Sequence, residues 1–92
     1  MEGCAEQQIL ETDAQINALA RSIFPRLRNA AARRRFNAAQ RAWLGYRRAD
    51  CRSMSDIFQG GTEAPVVAAQ CDVARNATRI KDLRTIRGAL SG

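Results

Sequence analysis

Punctuation limits what this chain can fold into more than any other feature. Its 92 residues hold two prolines, Pro25 and Pro65, and one adjacent glycine pair, Gly60-Gly61, in a sequence otherwise rich in the helix formers Ala, Arg, Gln, Leu and Glu. The breaks divide it into three helical segments, about residues 3–24, 31–58 and 63–90, within a single domain spanning 1–92. A chain of this length has a core near the lower limit for stability without a staple.

In the first segment Ile9, Ile16, Leu19, Ala20 and Ile23 recur at helical spacing. Pro25 lacks a backbone donor and disfavours helix at Phe24, so the helix stops or kinks there, and residues from about Leu27 to Ala30 turn the chain. The alternative is one helix continuing through a kink to Arg28. The second segment carries Phe36, Trp43, Cys51, Met54 and Phe58 on one stripe, with Leu44 and Ile57 beside it. Gln59-Gly60-Gly61-Thr62 ends it, and Thr62 is the expected N-cap of the third segment, with Pro65 in the first turn, where a missing N–H is harmless. Val67, Cys71, Ala74 and Thr78 then share a face, which Ile80, Leu83 and Leu90 extend. The expected architecture is all-α, an antiparallel three-helix bundle with a long hairpin made by helices two and three.

The hairpin gives the cysteines a meaning. Cys51 lies seven residues before Phe58, and Cys71 eight residues after Glu63, so each sits about two turns from the turn on its helix's apolar stripe. That symmetry favours an inter-helix disulfide over the alternative, two buried free thiols. A bridge there would contribute about 3 kcal/mol in the chain-entropy model and would imply an oxidising compartment. Cys4 is left over: a free thiol, half of a bridge whose partner is missing, an intermolecular link, or a lipidation site, though no lipobox precedes it here. The N-terminus has neither the basic nor the apolar part of a secretory signal, so export requires a leader absent from this chain. No stretch approaches the ~18 apolar residues of a membrane span.

Composition narrows the chemistry. With no histidine, the chain has no Ser-His-Asp or Cys-His pair, no His general base and no zinc-protease motif, and three cysteines alone do not make a four-ligand zinc site. We therefore expect a binding protein rather than an enzyme, with no cofactor and no metal. Fifteen cations against nine acids give a net charge of +6, and every cation except Lys81 is Arg. A compositional bias shared with the many alanines accounts for this preference more readily than selection for Arg's two-pronged contacts.

Several polar residues stand at or near stripes that otherwise look buried: Asp13, Asn17, Gln40, Arg47 and Thr78, grouped around Trp43. A polar residue on a buried stripe needs a partner. An internal network, with Arg47 bridging Asp13 or a carbonyl and Gln40 holding a neighbouring helix, is favoured over a ligand-facing cluster. Trp43 is likewise read as a core anchor.

The run Gln40-Arg41-Ala42-Trp43-Leu44-Gly45-Tyr46-Arg47, then Cys51, Gly60-Gly61-Thr62, Cys71 and Thr78-Arg79 to Leu83, resembles the LprI-type lysozyme inhibitor family. Met1 to Ala5 and Asp13-Ala14-Gln15-Ile16-Asn17 look like that family's upstream segments. The resemblance covers roughly Met1 to Leu83. It implies an exported helical domain with Cys51 and Cys71 paired and inhibition of lysozyme as the activity. Two departures bear on the end of helix one: Ala20 stands where the family usually has an aromatic, and Pro25 interrupts a segment that is usually plain helix.

For a periplasmic or secreted inhibitor acting by stoichiometric occlusion, two surfaces are candidates. One is the basic cluster Arg26, Arg28, Arg33, Arg34 and Arg35 at the first junction; the other is the polar hairpin tip Gln59, Gly60, Gly61 and Thr62. Many animal lysozymes are strongly basic and would repel a +6 partner at long range, so contact would need a local acidic surface such as Asp50, Asp56 and Glu63. The alternative is an envelope module that binds a protein or an anionic cell-wall component without inhibiting lysozyme. Nucleic acid is not an expected partner, since no stacking aromatics interleave with the arginines.

Overall fold

A computed structural model describes residues 2–58 and 61–91, so Gln59 and Gly60 of the expected tip lie outside the described residues. Three helices form, with no strand among the described residues: α1 (Glu2–Ile23), α2 (Ala30–Asp56) and α3 (Ala64–Ser91). Pro25 ends α1 one residue earlier than expected and leads into a single 3-10 turn, Phe24–Arg26. The chain turns extended at Leu27, and the Asn29 side chain caps α2 by accepting from the Ala32 N–H at 2.8 Å. No kinked continuation to Arg28 occurs.

At the other end α2 stops at Asp56, and Ile57 and Phe58 belong to the turn. The α3 ladder opens from the Glu63 carbonyl, which accepts from the Val67 N–H at 2.9 Å. Capping thus falls one residue after Thr62, the expected cap.

The helices run up, down and up. α3 packs against both others along its length, while α1 and α2 touch little. Ile16, Leu19 and Ile23 of α1, Phe36 of α2, and Ile80 and Leu83 of α3 form the apolar core, and Leu27, Trp43 and Ile86 pack against it. That core lies toward the α1–α2 junction. Beyond Trp43, toward the hairpin tip, the only buried apolar side chains among the described residues are Cys51 and Cys71. Their disulfide joins α2 to α3 with a Cα–Cα distance of 5.4 Å. One half of the molecule is therefore held by hydrophobic burial and the other by a covalent bond.

The result is a rod of 48 × 22 × 15 Å. Its accessible surface, 6329 Å², exceeds the roughly 5,300 Å² typical of a monomer of this mass. Met54, Leu44, Ile57 and Phe58, expected at or beside the buried α2 stripe, are exposed, as is Leu90. The cause is visible in the register. Past Cys51 the inward position of α2 is taken by half-buried Ser55, which leaves Met54 beside the stripe, and Ile57 and Phe58 lie beyond the helix, which ends at Asp56.

Candidate functional site

At the waist of the rod a polar network joins all three helices. Arg47 Nη1 donates to Asp13 Oδ1 and to Asn76 Oδ1, both at 2.8 Å. Asn76 Nδ2 donates in turn to Thr12 Oγ1 and Asp13 Oδ1, both at 2.9 Å. Asn76 is fully buried and central to the cluster. Asp72 lies 3.9 Å from Arg47 Nε; burial raises its carboxyl above the ordinary range, Arg47 opposes this, and Asp13 adds to it. The Arg47 and Arg79 guanidinium carbons lie 5.3 and 6.0 Å from the centre of the Trp43 ring. Arg79 Nε also donates to Gln40 Oε1 at 2.9 Å, and burial lowers the Arg79 pKa.

The structure thus brings Asp13, Gln40, Trp43 and Arg47 together and leaves two expected members outside. Thr78 is exposed and donates back to the Ala74 carbonyl of its own helix, because the inward face of α3 runs through Asn76, Ile80 and Leu83 instead. Asn17 is exposed on the rim of an open groove of about 480 Å³ between α1 and α2, with Ala20, Phe24, Phe36 and Leu44 along it. Four network residues were not singled out from sequence: Thr12, Asp72, Asn76 and Arg79. Asn76 was detectable: it stands four residues before Ile80 and seven before Leu83.

The hairpin end has a different character. Met54, Ile57 and Phe58 are exposed there, Ile57 at 71% of its full surface, next to exposed Gly61 and Thr62. Large apolar side chains grouped at a tip are a feature of interaction surfaces rather than of monomer surfaces. The disulfide lies only two turns below them, and Arg75 Nε donates to Asp50 Oδ2 at 2.7 Å beside it. Asp50, Cys51 and Cys71 place their ligand atoms within 4.8 Å of one another, but both sulfurs are consumed in the disulfide and offer no thiolate to a metal. Cys4 is an exposed free cysteine.

Folding also sorts the charges. Because α3 runs parallel to α1, Arg26 meets Ser91 at 3.1 Å while Asp13 meets Asn76, which sets the level of every charged residue along the rod. On the junction side of Trp43 lie eleven of the fifteen cations and, of the nine acids, only Asp82, a formal +10. On the tip side, Arg47, Arg48, Arg52 and Arg75 face eight acids, a formal −4. Among those acids Glu6, Glu11, Asp56 and Glu63 are exposed. The expected basic cluster is also exposed except for half-buried Arg33, whose Nη1 donates to the Leu27 carbonyl at 3.1 Å.

A family model described as lysozyme inhibitor LprI matches residues 1–83. The chain belongs to the LprI family. The matched span takes in α1, α2 and α3 as far as Leu83, so the LprI region contains the waist network, the disulfide and the hairpin tip, while Arg84 and Arg87 lie beyond it. No curated protein and no solved structure matches the chain. No helix is long and apolar enough to cross a membrane among the described residues.

Proposed function

We propose that the hairpin end of this LprI-family protein occludes the cleft of a lysozyme-like peptidoglycan glycosidase as a one-to-one complex. The observation that carries this reading is the exposed Met54, Ile57 and Phe58 on a stapled tip that belongs to the acidic half of the rod. A tip held by a disulfide loses little conformational freedom on binding, so its apolar contacts are retained as affinity. The formal −4 of the tip half meets a basic lysozyme with attraction, and the +10 of the far half stays tens of ångströms away, beyond several screening lengths at physiological salt. Net charge is therefore a poor guide to the encounter, and the local field decides it. The waist network serves in this reading as scaffold, holding α1 against the hairpin, not as a contact surface. A staple of this kind requires an oxidising compartment, which fits action in the periplasm or outside the cell.

Turbidimetric lysis of cell walls by basic and less basic lysozymes, with and without the oxidised protein, tests the proposal. Inhibition is expected at near-stoichiometric ratios and is strongest for basic enzymes. Ile57→Asp combined with Phe58→Asp should weaken it at least a hundredfold while leaving the helical spectrum intact. No inhibition of any lysozyme at molar excess would reject the reading.

A further inference from the structure

The junction end of the rod has no part in that function, and its composition is unlike the rest of the surface. Arg33, Arg34 and Arg35 open α2, Arg26 and Arg28 precede them, and the fold returns Arg84 and Arg87 of α3 to the same end, where Arg26 bonds Ser91. No ion pair engages any of these seven among the described residues, and no acid lies within the last two turns of α3. The same end exposes Phe24 and Leu90, with Leu27 half-buried between helices.

We propose that this end docks on an anionic phospholipid surface, the arginines on the phosphates and Phe24 and Leu90 at the headgroup–acyl boundary. The unpaired positive charge calls for an anionic partner, guanidinium groups can hold lipid phosphates, and each basic residue near an anionic bilayer adds about a factor of five to its affinity. The two apolar side chains select a bilayer over a nucleic acid. An aliphatic Leu has no ring for a base to stack on, Phe24 is the only exposed aromatic at that end among the described residues, and both have an apolar layer to enter at a lipid surface. The long axis, 48 Å, would then stand away from the surface and hold the hairpin tip in solution.

Co-sedimentation of the oxidised protein with phosphatidylcholine vesicles, with and without phosphatidylglycerol, tests this independently of any lysozyme assay. We expect binding only when phosphatidylglycerol is present, falling steeply with added salt. Arg28→Gln, Arg34→Gln and Arg35→Gln together remove no side-chain hydrogen bond found among the described residues and should weaken binding about a hundredfold. Phe24→Ser with Leu90→Ser leaves the charge unchanged and should weaken it about tenfold. Equal binding to both vesicle types, no binding to phosphatidylglycerol at low salt, or wild-type binding by the triple variant would overturn the proposal. So would equally tight binding to duplex DNA at the same salt, which would make the end a general polyanion surface. A variant that loses vesicle binding but still inhibits lysozyme separates the two ends.

Discussion

Arg47 and Asn76 carry more of this fold than their polarity suggests. Arg47→Ala leaves the Asp13 carboxylate and the Asn76 carbonyl without their shared donor and removes the nearer of the two cations over Trp43. We expect a loss of about 3 kcal/mol, read from urea unfolding. Asn76→Ala, at a site with no exposed surface, should cost about 2 kcal/mol, since Arg47 and Asp13 each lose a bond partner. Asp72 behaves oppositely. Its folded-state pKa is raised, mainly by burial, so the ionised carboxylate is disfavoured in the folded state above that pKa, and the penalty fades as pH falls through the folded pKa toward 3.8. Asp72→Asn should therefore unfold at a higher urea midpoint than the wild type at pH 7, with the gap closing below pH 3.8. The sequence pointed to Asp13, Gln40, Trp43 and Arg47 because each interrupts or anchors an apolar stripe. It did not single out Asn76, whose stripe has so few large apolar residues that the interruption carries little contrast.

At the level of elements, the disulfide supplies what packing does not. The tip half buries no large aliphatic side chain among the described residues, so the Cys51–Cys71 bond replaces hydrophobic burial there. Closing 20 residues of separation contributes about 3 kcal/mol, and Cys51→Ala with Cys71→Ala should lower unfolding stability by that amount. Hydrogen exchange should show the loss concentrated near the tip, in the last turns of α2 and the first of α3, and not at Ile16 or Leu83. Helix number, order and approximate ends were legible from two prolines and a glycine pair. The exposure of Met54 and Phe58 was not, because it follows from Ser55 taking the inward position and from α2 ending at Asp56, neither of which the apolar pattern of α2 fixes.

For the whole molecule, the separation of charge exists only after folding. A linear reading sees +6 spread over 92 residues; the parallel return of α3 beside α1 converts it into a basic end and an acidic end. With a basic lysozyme, association should slow as salt is added. Asp56→Lys with Glu63→Lys should reduce the association rate about tenfold with little change in dissociation, whereas Arg34→Glu with Arg35→Glu should not reduce it. Stopped-flow measurements over a salt series distinguish these outcomes. The staple has one more consequence, for cleavage of the chain at the tip. A peptide bond cut between Phe58 and Thr62 does not divide the molecule, because the bridge two turns below still ties the two pieces together. The nicked form would keep its helices paired and its tip side chains in place, and the cut would become visible as two fragments only on a gel run under reducing conditions.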